Sequence, residues 1–298
     1  MLLACWVGAG CSPALVWHTA HDLNPGLPLG IEVFRGSGDG LQGVYARLDQ
    51  NANPALAWRV ALAAPGAQGM TPLAFSQSLP RQPYVVVNGG FFDASNSMSL
   101  AVVDGMVRAA GVKRLSRQGQ QFYPARAAFG QFESGRAEAR WVSVAGEPPV
   151  LSAFTQAPGT TGGAPSAPPA GGVPWHPQTA IGAGPMLVSR GVKRVTAMQE
   201  LFDAASGVGV TQRAPRTALA VRADGALLFI VIDGRSSHSR GATLDELADM
   251  LVALGAWDAI NLDGGGSSAM VVNGAVINRP SDAAGQRRVR SVLMLTAR

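Results

Sequence analysis

The stretch Ala259-Ile260-Asn261-Leu262-Asp263-Gly264-Gly265-Gly266-Ser267-Ser268-Ala269-Met270-Val271-Val272 decides how the rest of the chain is read. A short apolar run ends in a carboxylate, three glycines and two serines follow, and the chain turns apolar again. An apolar run of this length bounded by glycine reads as a buried strand. Asp263 therefore sits where a strand leaves the core for a loop. Glycines accept positive φ and let backbone N–H groups approach a ligand closely. Successive N–H groups in such a turn form a concave nest that attracts anions, phosphate above all. A single Asp-Gly would read as a tight hairpin with a solvated aspartate. Three adjacent glycines weaken a fold unless something needs the space, which favours a binding loop at Gly264, Gly265, Gly266 and Ser267.

Working outward, the clearest helix of the chain lies just upstream. Thr243 is placed to cap it and Glu246 stands at the capping-box position. Leu244, Leu247, Ala248, Leu251 and Leu254 recur at helical spacing, and Gly255 ends the helix. Before it, residues 227–232 form a hydrophobic strand that runs into Asp233-Gly234-Arg235 and a polar loop to Gly241. Strand, loop, helix and strand make a βαβ unit near residues 227–272, whose two strands are expected to be parallel. Parallel strands put Asp233 and Asp263 at the same end of a sheet. The expected fold class is α/β (mixed α+β): a mixed twisted sheet with few helices.

The same grammar, a hydrophobic strand ending in Asn or Asp before glycine, occurs at Val85-Val86-Val87-Asn88-Gly89-Gly90. Three such endings suggest strand ends gathered at one edge, where ligands commonly sit. Residues 31–35, 43–48 and 57–62 read as successive strands of a meander, and 73–79 as a short helix. Val103-Asp104-Gly105-Met106 and Val272-Asn273-Gly274-Ala275 are hairpin signals. Residues 126–131 and 140–144 read as further strands. Residues 158–177 are biased to Gly, Pro, Ala, Ser and Thr and read as a surface insertion, with Trp175 and His176 at its end expected to pack, substrate contact being the alternative. Gly182-Ala183-Gly184-Pro185 has neither the lysine of a phosphate-binding loop nor dinucleotide spacing.

Composition bounds the function. The chain has 298 residues, 47% of them hydrophobic and 14% charged, which gives a globular protein with ample core. Gly at 37 and Pro at 20 favour turns and short strands. The net charge of +5 comes from scattered arginines, not from a basic block that would track a nucleic acid. Residues 1–10 are small and apolar, like the end of a secretory signal. Leu2-Leu3-Ala4-Cys5 resembles a lipobox, as does the run before Cys11 more loosely. Export is the expected localisation, either secreted or in the cell envelope, with a lipid anchor at Cys5 or Cys11 left open. Residues 1–24 are then leader and transition, and 25–298 one catalytic domain carrying the insertion. His18 and His21 lack a third ligand, and no metal site is expected from them.

The motifs Asn88-Gly89-Gly90-Phe91-Phe92, Gly182-x-Gly184-Pro185-x-Leu187-Val188, Pro215-Arg216-Thr217-Ala218, Asp233-Gly234-Arg235 and Asn261-Leu262-Asp263-Gly264-Gly265-Gly266-Ser267 together resemble the phosphodiester glycosidase family. The resemblance runs from about Val85 to Arg298. It implies a mixed α/β catalytic domain and hydrolysis of a sugar-1-phosphodiester; the leader adds the expectation of a cell-envelope glycopolymer as substrate class. On the resemblance, Gly89, Gly90, Thr217 and Gly234 join the substrate-binding set.

The chemistry of the residues agrees with that implication. Cleaving a sugar C1–O–phosphate bond builds positive charge on the ring, which carboxylates stabilise as nucleophile or as base. Asp233 and Asp263 fit those roles. Phosphate already leaves well, so charge stabilisation on it matters more than a strong acid. Arg216, held stiffly after Pro215, supplies a planar fork for it, with Arg235 as a second candidate. Asn88 is a candidate to bind a sugar hydroxyl or orient a carboxylate, and His238 to shuttle a proton. No cofactor is required, although Asp233, Asp263 and Asn88 are hard oxygen ligands that leave a divalent cation open. Two competing readings are a non-catalytic envelope protein that binds anionic glycans and a phosphodiesterase that breaks P–O.

Overall fold

The computed structural model describes residues 15–64, 66–158 and 169–298. The apolar leader with Cys5 and Cys11, and most of the Gly/Pro-rich insertion, lie outside these residues. Twenty-two strands, two α-helices and two short 3-10 turns are present among the described residues. They build antiparallel sheets of eight, seven and five strands and a separate two-stranded ribbon.

The decisive strand is Leu227–Ile232, whose six residues are all buried. It pairs with Leu41–Leu48 on one side and Arg216–Arg222 on the other, and Ala256–Asn261 follows beyond Arg216–Arg222. An unbroken apolar run is usual in a strand covered on both faces, and here the two faces separate cleanly. Leu228, Ile230 and Ile232 pack with Leu244, Leu247, Ala248 and Leu251 of the helix Leu244–Ala253. Leu227, Phe229 and Val231 face the other way, into a core that holds Trp58 and Phe129. The rings of Phe229 and Phe129 both meet Trp58 edge-on.

The α/β expectation is corrected at this point. The helices are only six and ten residues long, and every strand pair among the described residues is antiparallel. The helix of the supposed βαβ unit is real, with its complete Thr243–Glu246 capping box. Its flanking strands run in the same direction but do not pair. The strand Arg216–Arg222 lies between them, antiparallel to both, and the fold is β-rich. A crossover helix sets the relative direction of the strands it joins and leaves open which strand intervenes.

That insertion positions the site. Arg216 lies opposite Ile232, and Ala218 opposite Asn261. The start of one strand thus meets the ends of its two neighbours, and Arg216, Asp233 and Asp263 leave the sheet at one edge. Asp233 and Asp263 stand two strand spacings apart, about 10 Å at the backbone.

The early meander is also corrected. Ile31–Gly38 and Leu41–Leu48 pair as expected, but Leu56–Leu62 joins the five-stranded sheet beside Ser291–Ala297. Both hairpin signals are realised: Asp104 and Gly105, and Asn273 and Gly274, all take positive φ, as a two-residue turn of right-handed twist requires. Trp175 is buried and donates to Glu138 Oε1 at 3.2 Å, a packing role.

Candidate active site

Asp263 follows the strand Ala256–Asn261, and its backbone is clamped from two sides. Its N–H donates to the Gly89 carbonyl at 3.1 Å. Its own carbonyl accepts from Asn88 Nδ2 at 2.7 Å. Asn88 is fully buried at the end of strand Val85–Asn88, and its Oδ1 accepts from Thr217 Oγ1 at 2.8 Å and from the Ala269 amide at 3.2 Å. Ser268 Oγ lies 3.1 Å from the same threonine hydroxyl. Asn88, Thr217 and Ser268 form a buried polar knot beneath the aspartate.

The carboxyl group of Asp263 faces a cavity of about 410 Å³. Burial pushes its pKa up to about 6, against the opposing pull of Ser267, the Gly264 amide and Arg287. Gly264 N–H donates to Oδ1 at 2.9 Å. The Ser267 hydroxyl is near enough to oppose the shift but makes no hydrogen bond of ordinary geometry.

Arg117, Arg126, Arg216, Arg235 and Arg287 line this cavity, and among the described residues Asp263 is its one carboxylate. Arg216 is almost fully buried and fixed by its own loop. Its Nε donates to Ala242 O at 2.9 Å, its Nη1 to Val208 O at 3.0 Å, and its Nη2 to the carbonyls of Gly209 and Gln212, each at 2.6 Å. One Nη1 proton remains for a ligand. Burial and the nearby Arg235 pull its pKa down to about 10, so it is still cationic at neutral pH. Arg235 takes positive φ at 58° and would meet a Cβ placed on Gly265 at 3.0 Å. Arg287 is paired with Asp282 at 2.8 Å.

The glycine run works by close approach more than as a nest. The amides of Gly264, Gly265, Ser267 and Ser268 are spent on Asp263 Oδ1, Pro215 O, Gly264 O and Gly265 O. A Cβ on Gly264 would come within 2.8 Å of Pro215 O, and one on Gly266 within 2.0 Å of Asp282 Oδ1. Only Gly264 and Gly265 of the run reach the cavity wall. Gly89, Gly90 and Gly234 are likewise packing positions, where a Cβ would strike Ser291, Ser99 and Pro215.

Asp233 shares the sheet edge with Asp263 but does not line the cavity. It is 5% exposed, and its carboxylate accepts from Asn278 Nδ2 at 2.9 Å and from the Arg279 amide at 3.1 and 3.2 Å. Burial raises its pKa, against those hydrogen bonds and the nearby His238 and Arg279. His238 Nε2 lies 3.8 Å from Asp233 Oδ2, away from the cavity lining. No group of three or more His, Cys, Asp or Glu suited to a metal occurs among the described residues.

Sequence reasoning passed over three features of the cavity. Asn261 donates from Nδ2 to the Gly184 carbonyl at 2.9 Å, while its buried Oδ1, on a residue that lines the cavity, has no partner. It stood inside the Asn261-Leu262-Asp263 motif, so that signal was available. Phe91 and Phe92 follow Gly90 directly and also line the wall. Arg126, Arg287 and Phe202 carried no signal of convergence, because they come from separate segments of the chain, Arg126 from the strand Arg126–Gln131 and the other two from loops.

Comparison with known proteins follows the same lines. A family model for phosphodiester glycosidase matches residues 81–296. A 68-residue stretch is 44% identical to an uncharacterized prophage-derived protein, YomE, of Bacillus subtilis, covering 23% of this chain and 11% of that protein. A 67-residue stretch is 42% identical to N-acetylglucosamine-1-phosphodiester alpha-N-acetylglucosaminidase of Bos taurus, covering 22% of this chain and 12% of that enzyme. The matches thus span about an eighth or less of the curated relatives' length. The zebrafish catalytic domain of the same enzyme, auto-inhibited by its pro-peptide, superposes with a TM-score of 0.62 at 19% identity, over 97% of this chain and 92% of that one. A hypothetical protein from Synechocystis superposes with a TM-score of 0.68 at 17% identity, over 96% of this chain and 68% of that one. At these identities the superpositions show a shared fold.

Proposed function

The chain belongs to the phosphodiester glycosidase family, and on that premise we propose that it hydrolyses the C1–O bond of a sugar-1-phosphodiester. The observation that carries this reading is one half-buried carboxyl group, Asp263, in a cavity otherwise ringed by guanidinium groups. A phosphodiester brings one negative charge, which suits the Arg216 and Arg235 side of the cavity. The anomeric carbon then faces Asp263. As the C1–O bond breaks, its electron pair leaves on the phosphate oxygen, where the arginines stabilise it. Positive charge grows on the ring, and the Asp263 carboxylate stabilises it. Water adds its oxygen to C1 and gives a proton to Asp263. The products are a free sugar and a phosphomonoester.

Asn261 Oδ1, buried and unpartnered, is the acceptor for a sugar hydroxyl or amide N–H. Phe91 and Phe202 offer apolar faces to the ring. Asp233 holds the 278–279 segment in place and orients the loop that carries Arg235. We place the reaction outside the cytoplasm on the small apolar run at residues 1–10, with a cell-envelope glycopolymer as substrate class.

The test is turnover of the methyl phosphodiester of N-acetylglucosamine in oxygen-18 water. Label in the released sugar, with unlabelled phosphomonoester, is the expected result. Label in phosphate would assign P–O cleavage instead. Saturable binding without any product would make the protein a glycan binder.

A further inference from the structure

The cavity holds more positive charge than a phosphodiester monoanion can use. Two of its five arginines already have carboxylate partners: Arg287 pairs with Asp282, and Arg117 with Asp203 at 2.8 Å. Arg216 and Arg235 stand beside the Asp263 loop. Arg126 is left over, on a different wall, built by the strand Arg126–Gln131 and the loop around Phe202.

Arg126 is unusual in three respects. It is half-buried, and this pulls its pKa down to about 10, so it stays a cation at neutral pH. It has no carboxylate within ion-pair distance among the described residues. Among the described residues its Nε donates only to the backbone carbonyl of Glu200, at 3.3 Å, and neither Nη group makes a hydrogen bond. The nearby Glu200 and Asp203 carboxyl groups favour its charge, but neither makes a hydrogen bond to it; that of Glu200 is occupied by Thr196, Trp141 and the amides of Ala127 and Met186. The guanidinium carbon lies over the Phe202 ring, 4.2 Å from its centroid, and Phe202 in turn leans on Phe91 at 5.6 Å. The ring holds one side of the group and leaves its Nη atoms open. A half-buried cation with open donors gains from a ligand that completes it, and a planar fork is suited to a carboxylate or phosphate.

We propose that Arg126, lying over Phe202, is a second anion subsite that binds a further carboxylate or phosphate carried by the same substrate. The substrate is then a glycosyl phosphodiester with at least two negative charges. This rests on reading the cavity as the substrate site, and it narrows the substrate class.

Three probes test it: the methyl phosphodiester of N-acetylglucosamine, its sugar 6-phosphate, and the corresponding phosphodiester of glyceric acid. The second places extra charge on the sugar and the third on the leaving group. Binding is measured by calorimetry on the Asp263→Asn protein, so that it does not depend on turnover. One of the two more highly charged probes should bind about tenfold tighter or more than the methyl diester. That advantage should fall below about twofold when Arg126→Gln is added, and be partly kept by Arg126→Lys, which retains charge but not the fork. The proposal is overturned if neither of these probes gains over the methyl diester, or if the gain survives Arg126→Gln. The probe comparison needs only the Asp263→Asn protein and stands even if Arg126→Gln fails to fold. Absence of hydrolysis by the wild type would reject the proposed reaction and leave this binding ratio to be read by itself.

Discussion

The side-chain amide of Asn88 donates to the backbone carbonyl of Asp263 at 2.7 Å, across 175 residues of sequence. It joins the end of a strand in the five-stranded sheet to the end of one in the eight-stranded sheet. The Asp263 carboxyl group is aimed by this contact, since the Gly89 carbonyl fixes the same residue's N–H. Replacing Asn88 by Ala leaves the Asp263 carbonyl and the Ala269 amide without these partners. We expect a stability loss of about 2–4 kcal/mol in urea unfolding. Turnover should fall by about 10- to 100-fold with a smaller change in KM, as misplacement of a reacting group does. Wild-type kcat in this variant would mean that the aspartate is aimed by something else.

The pH dependence follows from the environment of Asp263. Its pKa is pushed up to about 6 by burial. As the group that stabilises ring charge and takes the water proton, it works ionised. The rate should therefore rise with pH through about 6 and level off above it. Arg287 lowers this pKa by its charge, so Arg287→Gln should move the rising limb to higher pH. A limb that stays in place in that variant would separate the titration from Asp263.

Much of this site was legible in the sequence, and the reason is local. Strand ends marked by Asn-Gly-Gly or Asp-Gly-Gly-Gly are punctuated by residues that cannot continue a buried strand, and the capping box of the helix at residue 243 is written in consecutive side chains. The direction of the two strands around that helix was also readable, which placed Asp233 and Asp263 at one edge. What intervenes between those strands was not readable, because pairing is decided by the whole set of buried faces. The α/β expectation failed there. The meander expectation failed for the same reason at residues 56–62, whose partner is the last strand of the chain. Asp233 and Asp263 read alike in sequence. Only packing shows that Asp233 spends its oxygens on Asn278 and Arg279 while Asp263 opens into the cavity.

That difference makes the two aspartates separable by experiment. Asp233→Asn keeps one acceptor oxygen but loses the charge that Asn278 and the Arg279 amide answer. We expect a cost in thermal stability and a loss of turnover within about 10-fold. Asp263→Asn should lower turnover by about a thousandfold or more, the scale on which loss of a group acting on the transition state is felt. Equal losses in the two variants would restore Asp233 to the chemistry.

Arg216 tests whether the cavity wall is rigid. Four of its five N–H donors hold the carbonyls of Val208, Gly209, Gln212 and Ala242. Lysine keeps the charge but cannot reach four acceptors. Arg216→Lys should therefore loosen residues 208–212, seen as faster amide exchange there, and raise KM by about tenfold or more. Exchange unchanged in that segment would place the arginine's role in charge alone.

The last prediction concerns stability, and its sign is opposite to the usual one for a carboxylate. The folded-state pKa of Asp263 is about 6, above its ordinary value of 3.8. Between those values the folded protein keeps a proton that the unfolded chain has released. The unfolded state then binds fewer protons, so stability falls as pH rises through this window. Above about pH 6 the full cost of ionising a half-buried carboxyl group is present. Asparagine at 263 has no charge to bury and keeps an oxygen for the Gly264 amide. Asp263→Asn should therefore be more stable than the wild type at pH 7, by about 1–3 kcal/mol, and the gain should fade towards zero near pH 4. Urea unfolding at the two pH values measures it. A variant less stable than the wild type at pH 7 would show that the charged carboxylate is held favourably, and that the rate limb near pH 6 belongs to another group.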